Sequence, residues 1–417
     1  MKFSKIALKL REKIVRFSGE LCKETDKTVR RFVTESVYGI LHSQSVILTE
    51  IGRSLENDVS VKKIEERFCR HLGKRKIWRN IHENLLTHAS TIIKDNTLLI
   101  MDLSDIQKKH AKKMEYIADV RDGSEGVIGK GYWTCHIIGA ELDSNEIIPL
   151  YQSLYSQRSP EFLSENDEIL EAINLVSSHL QRRGIYVIDR GADRRIIFES
   201  LLKEELRFII RLEGSRHLIY DNKRIEALEL ANTCECPYKE TIVKMEDYRE
   251  KVYHLRYGFK SVKLPDLEYS LWMLVVNGFG EKPLMLLTTE PLKRNRIVLR
   301  NILNSYLKRW SIESTIRFIK QTYDLENIRL LRYVGLKNMM AILLIAFYFL
   351  AVVLDTNQKL KIMTGHVLKS AKRVFGIPDF KYYALGDGLS KIFQQTPGKI
   401  WKKYKKNPST QIFIGFT

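Results

Sequence analysis

Apolar positions change their spacing twice along this chain. Up to about residue 94 they recur every three or four residues, as in Val33, Val37, Ile40 and Leu41, and again in Ile47, Ile51 and Leu55. That is the period of amphipathic helices. From Thr97 the pattern turns to short apolar runs of strand length. Thr97-Leu98-Leu99-Ile100-Met101 ends on Asp102, Tyr132 to Leu142 follows a stretch rich in glycine (Gly123, Gly126, Gly129, Gly131), and Ile147 to Tyr151 is placed to pair with it. A helix is predicted from about Asn166 to Arg183, stopped by Gly184. Ile185-Tyr186-Val187-Ile188 is another strand, and it too ends on an aspartate, Asp189. Ala192 to Lys203 has helical spacing, and Leu206 to Leu212 returns as a strand. Residues Gly214 to Arg296 are rich in β-branched and aromatic side chains with Pro and Gly punctuation, which predicts an inserted, mostly β segment. A long helical pattern then opens near Ile297 and runs past Lys320.

Strands and helices in this order predict an α/β core interrupted by a β insertion. At 417 residues the chain exceeds what one hydrophobic core usually serves. The expected organisation is a helical DNA-binding domain (1–94), the first part of the core (95–213), the insertion (214–296), the second part of the core (297–355) and a basic helical region (356–417). The apolar run Met339 to Leu354 has 16 residues, short of the ~18 to 20 that a spanning helix needs, and reads as a core helix with no membrane partner.

Charge sharpens this picture. The net charge is +19, which points to a polyanionic partner. Residues 1–94 hold 20 basic and 11 acidic side chains and residues 356–417 hold 12 and 2, which leaves the middle of the chain neutral. A neutral body between two basic ends suits a machine whose appendages grip phosphate backbones. Met1 to Phe17 alternates Lys and Arg with apolar residues and lacks the uncharged core of a secretion signal. Five cysteines, few and odd in number, fit a reducing cytoplasm. Cys234 and Cys236 form a C-x-C without the second pair of a familiar zinc site and read as free thiols.

Two strands that each deliver an aspartate at their carboxyl end are a candidate ion site, because ligands collect there in α/β sheets. A single such aspartate more often starts a turn or caps a helix. Asp105 is the alternative to Asp102, although strand alternation would turn residues 102 and 105 to opposite faces. The third element lies in Tyr306-Leu-Lys-Arg309-Trp-Ser-Ile-Glu313 and continues to Arg317 and Lys320. At ~100° per residue, Tyr306, Arg309, Glu313 and Lys320 fall within one ~60° stripe of a helix. Such a stripe suits phosphodiester chemistry: Glu313 offers oxygen to a metal, Arg309 and Lys320 neutralise phosphate, and Tyr306 hydrogen-bonds at the scissile group.

These residues resemble the DDE transposases of the bacterial insertion-sequence group defined by Y-x2-R-x3-E-x6-K, which Tyr306, Arg309, Glu313 and Lys320 match without a gap. The D-R-x-A-D pattern of the same group is matched by Asp189-Arg190-Gly191-Ala192-Asp193. The resemblance implies a ribonuclease-H-like core in which Asp102, Asp189 and Glu313 hold two Mg2+ ions, with Mn2+ able to substitute. It also implies DNA contacts from Tyr306, Arg309, Arg317, Lys320, Arg190 and Arg211, double-stranded DNA partners (terminal inverted repeats and target), and a homodimer assembled on DNA. Some relatives stack a tryptophan of the insertion on a flipped base; here Leu284 stands near that position, and Trp272 reads as core. Two other readings share these residues: a metal-dependent nuclease of the same fold that cuts without joining, and a non-catalytic DNA-binding protein descended from a transposase.

Overall fold

The computed structural model describes residues 3–56, 58–74, 77–121, 126–246, 249–370 and 380–401. Gly123 and the last residues of the basic region, 402–417, lie outside them. Five helices come first: α1 (Phe3–Leu21), α2 (Lys27–Ser43), α3 (Leu48–Ser54), α4 (Val61–Leu72) and α5 (Ile77–Ala89). Their apolar stripes are buried, as at Phe32, Val33, Val37 and Ile40, and the fully buried Glu35 is held by Arg31 at 2.8 Å and Arg67 at 2.5 Å.

A meander follows, formed by β1 (Leu98–Gln107), β2 (Ala118–Arg121), β3 (Ile128–Ala140) and β4 (Ile147–Tyr155). Strand β1 outruns its apolar stretch. The expectation that it ends at Asp102 is wrong, because β3 pairs with it from Leu98 to Gln107 without a break and carries the strand through the polar change. Helix α6 (Glu165–His179) is capped by Ser164, whose hydroxyl accepts the Asp167 N–H at 3.2 Å. It stops before Gly184, because Gln181 and Arg182 have already turned to positive φ. Strand β5 (Ile185–Ile188), helix α7 (Arg195–Lys203) and strand β6 (Arg207–Arg211) complete the first half. Strand β5 is parallel to both β1 and β6.

The insertion contains a small hairpin, β7 (His217–Tyr220) with β8 (Lys223–Glu226), a short helix α8 (Ala227–Asn232) that the strand-like composition did not reveal, and β9 (Tyr238–Glu246), β10 (Arg249–Val262), β11 (Leu271–Asn277) and β12 (Leu284–Thr288). The four long strands extend the core sheet, since β12 pairs with β6. The result is one ten-stranded mixed sheet of order β2-β3-β1-β5-β6-β12-β11-β10-β9, with β4 also on β3. Leu284 is buried at the start of β12, and Trp272 packs half-buried against the core.

Helices α9 (Arg296–Leu307), α10 (Trp310–Thr322), α11 (Tyr333–Tyr348), α12 (Thr356–Ser370) and α13 (Tyr382–Gln395) close the chain. The single helix expected through Tyr306 and Glu313 is two. At Lys308–Arg309 the bonds Arg309 N to Tyr306 O and Ile312 N to Arg309 O, both 3.0 Å, tighten the backbone to an i−3 turn, so the stripe does not sit on one continuous wheel. Helix α11 and the π-helical turn after it (Phe349–Val353) are long and apolar enough to cross a membrane. Here 83% of that apolar window is buried against β4 and α2, α4 and α5. Helix α13 packs on α1, α2 and α10, so the helices of the two ends of the chain meet.

Candidate active site

The last parallel pair between β1 and β5 is Met101 with Ile188. Asp102 and Asp189 are the next residues on each strand, so two strands spaced roughly 5 Å apart deliver a carboxylate at the same level. Beyond this point β5 leaves the ladder and one edge of β1 is open. Helix α10 packs against β1 there, bringing Arg309 and Glu313 to the strand.

Arg309 joins the site. One guanidinium nitrogen lies 3.5 Å from Asp102 Oδ2 and the other 2.8 Å from Glu313 Oε1. The ring of Tyr306 lies 5.9 Å beneath the same guanidinium, and the Tyr306 hydroxyl, largely buried, is flanked by Arg211 and Asp189. Burial pushes the Asp102 carboxyl up to about 7, and the negative charges of Asp189 and Glu313 push the same way, against Arg309 and the Leu103 N–H. Three acids and one arginine thus share one electrostatic neighbourhood. Arg309 Nε is buried with no hydrogen-bond partner among the described residues.

Asp189 has a second task. Its Oδ1 accepts the Gly191 N–H at 2.7 Å and starts the tight turn Arg190–Ala192. A Cβ on Gly191 would sit 2.9 Å from that oxygen, so a larger residue there would have to move the carboxylate. The final Asp193 of the pattern is buried, accepts the Glu213 N–H at 2.7 Å and binds Arg216 at 2.6 Å. It clamps the start of the insertion behind β6. Arg190 faces outward, 3.6 Å from Glu213.

Asp105 is the largest departure from expectation. Strand alternation places it opposite Asp102, yet both line the cleft between β1 and α10, a space of about 660 Å3 that also takes in Glu313, Arg317 and Lys320. The open edge of β1 explains this, because a helix lying along an edge can reach side chains from both faces. Asp105 is buried, accepts from Gln107 Nε2 at 2.8 Å, and lies 3.4 Å from Lys320 Nζ. The sequence contains both partners of this ion pair but gives no sign that they meet. A separate groove of about 510 Å3 beside Asp193 and Arg216 holds none of the three carboxylates.

The donors in the cleft are hard carboxylate oxygens with surplus negative charge, chemistry that suits a divalent cation. Among the described residues no three His, Cys, Asp or Glu side chains stand close enough to share one ion, and the cation lying between Asp102 and Glu313 is the Arg309 guanidinium. All five cysteines are free thiols.

No curated protein sequence matches the chain. Among solved structures it is similar to piggyBac transposase, in a cryo-EM structure of its synaptic complex with hairpin DNA, with 12% identity, a TM-score of 0.40, and coverage of 94% of this chain and 81% of that one. The model of a family described as "Transposase DDE domain" matches residues 163–349, a span that begins after β4 and contains Asp189, the insertion, Tyr306, Arg309, Glu313 and Lys320. Over residues 163–349 the chain is thus similar to a transposase DDE domain.

Proposed function

We propose that this protein is a DNA transposase that cleaves at the ends of an insertion sequence and joins them to target DNA. The observation that carries the reading is geometric: β1 and β5 end side by side on Asp102 and Asp189, and α10 brings Glu313 and Arg309 up to Asp102. A fold has little structural reason to aim the acids of two strands and a helix at one neighbourhood, since like charges there oppose one another. Phosphodiester chemistry supplies one.

In this reading Asp102, Asp189 and Glu313 would hold Mg2+, which Mn2+ could replace, and bound there the metal would supply activation of the attacking oxygen. The chain's own cations do the rest. Arg309, which bridges Asp102 and Glu313, is the proposed partner of a phosphate oxygen at that end of the site. Arg317 and Lys320 continue the same wall of the cleft, and Arg211 with Tyr306 bounds the end near Asp189. The antiparallel run β1, β3, β4 followed by parallel β5 and β6, with an acid on the central strand, supports a ribonuclease-H-like core. The basic helical ends are the proposed readers of the terminal inverted repeats, and two protomers on two DNA ends the proposed assembly.

The test is an in vitro reaction on duplexes carrying the DNA that flanks the gene, with Mg2+ or Mn2+ and a supercoiled target plasmid. Cleavage at the element end together with integrants supports transposition. Cleavage without integrants leaves a nuclease, and neither product with wild-type protein would sink the reading.

A further inference from the structure

Next to the cleft lies a basic loop that neither the chemistry above nor the family match, which begins at residue 163, assigns to any task. Strand β1 ends at Gln107 and the chain continues as Lys108-Lys109-His110-Ala111-Lys112-Lys113. Five of these six residues are basic, and Lys109, His110, Lys112 and Lys113 are exposed. Lys112 and Lys113 make no ion pair with any described residue.

The loop is built, not slack. Lys108 is turned inward and buried, and its ammonium donates to the carbonyls of Glu326 and Ile328, each at 2.6 Å. Its backbone N–H donates to Lys130 O at 2.6 Å, and Ala111 N–H bonds back to Lys108 O at 3.0 Å. At the far end Glu115 ties down the chain: its N–H donates to Leu331 O at 2.9 Å, its carbonyl accepts the Tyr132 hydroxyl at 2.6 Å, and its carboxylate accepts the Tyr333 N–H at 2.8 Å. A lysine spent as a buried anchor fixes a loop that holds Lys112 and Lys113 out in water, an arrangement that solubility does not require.

The groove under this loop, about 730 Å3, shares Gln107, Lys109, Glu326 and Asn327 with the cleft that holds Asp102 and Glu313. Arg329, also exposed, stands on its opposite wall. From Arg309 to Lys320 helix α10 covers roughly 16 Å, and the loop takes up the path where that helix ends. Arg317, Lys320 and Lys109 line the cleft, and Lys109 continues with Lys112, Lys113 and Arg329 along the groove, interrupted by the acids Asp324 and Glu326.

We infer that the loop 108–113 is a phosphate track, which holds the backbone of the DNA strand as it leaves the catalytic cleft. A succession of exposed cations beside the cleft fits a polyanion, and contacts to the backbone alone position DNA without reading its sequence. The inference rests on the proposed DNA chemistry of the cleft, of which it names the exit path.

The test measures binding of a fluorescein-labelled DNA duplex of arbitrary sequence to the full chain by anisotropy over a range of salt. Lys109→Ala/Lys112→Ala/Lys113→Ala should flatten the slope of log K against log salt by about 2 to 3, or about 0.9 for each phosphate released. Lys112→Arg/Lys113→Arg should keep the wild-type slope, and a control with two exposed lysines removed elsewhere, Lys203→Ala/Lys282→Ala, should not move it. Lys108 is left intact because it anchors the fold. An unchanged slope in the triple variant, an equal change in the control, or competition by polyglutamate as strong as by DNA would overturn the inference. If wild-type protein fails to cut DNA but the triple variant still flattens the slope, the track stands and the transposase reading falls.

Discussion

The Lys320 ammonium lies 3.4 Å from the Asp105 carboxylate, joining a helix to a strand across 215 residues. The pair is the far anchor of the cleft, as Arg309 with Asp102 is the near one. Asp105 is engaged by Lys320 and Gln107 and Asp102 by charge from Asp189 and Glu313, so the two aspartates have different neighbours and should fail differently. Asp102→Asn is expected to abolish cleavage. Asp105→Asn keeps an oxygen for Lys320 but leaves the half-buried ammonium with Glu326, at 3.8 Å, as its one charged partner among the described residues. That should cost about 1 to 3 kcal/mol of stability, less than for a fully buried pair because water still reaches Lys320. Thermal unfolding together with single-turnover cleavage checks this, and equal loss of cleavage in both variants with no loss of stability in Asp105→Asn would reverse the assignment.

Asp189→Asn keeps an oxygen to accept the Gly191 N–H, so the turn after β5 should still form. What it loses is charge. Cleavage with Mg2+ is expected to fall on the order of 10^3-fold, as it does when a group facing developing charge is removed. Glu313→Gln should do the same, and DNA affinity should hold in both, measured by electrophoretic mobility shift. Cleavage near the wild-type rate in either variant would remove that carboxylate from the site.

The parts of the fold visible in the sequence were those with local causes. The apolar runs 98–101 and 185–188 announce buried strands, and residues 306, 309, 313 and 320 stand at the spacing that brings Arg309 to Glu313. Non-local pairing was not visible. Strand β1 reaches Gln107 because β3, some 30 residues later, bonds to it throughout, and no property of Leu103 to Gln107 shows this. The insertion joins the core sheet through β12 and β6, a choice of partner that composition does not encode. Asp105 enters the cleft because β5 abandons the edge of β1 after Met101. Period-2 alternation describes a strand, not the helix that lies along its edge.

A second test concerns acid stability. His82, fully buried between α5 and β4, donates from Nε2 to Gln152 O at 3.1 Å and stacks 4.7 Å from the Tyr151 ring. Burial pushes its imidazole down to about 4. In the unfolded chain it takes a proton near 6.5. Between those values only the unfolded state binds the proton, so stability is full above about pH 6.5 and falls as pH drops toward 4, by up to about 3 kcal/mol from this residue. His82→Asn should flatten urea midpoints over that window, and an unaltered pH dependence would show that His82 titrates alike in both states.

The basic carboxyl-terminal region has to be divided before its charge can be tested. Helix α13 buries Tyr382, Leu385, Leu389, Ile392 and Phe393 against α1, α2 and α10, and the Tyr382 hydroxyl accepts the Ile147 N–H of β4 at 2.8 Å. At about 1.5 to 3 kcal/mol for each large apolar side chain, those five contribute an amount comparable with the whole stability of a typical domain. Deleting residues 356–417 is therefore expected to unfold the protein, and any loss of DNA binding would say nothing about charge. Ending the chain after Trp401 removes Lys402, Lys403, Lys405 and Lys406 and spares α13. This shorter deletion should lower the salt slope of DNA binding by at most about 3.6, if all four lysines meet phosphate, with thermal unfolding measured alongside to check the fold. A slope equal to that of the full chain would show that these lysines do not touch the DNA, leaving the helical amino-terminal region and the cleft to carry the electrostatic share of binding.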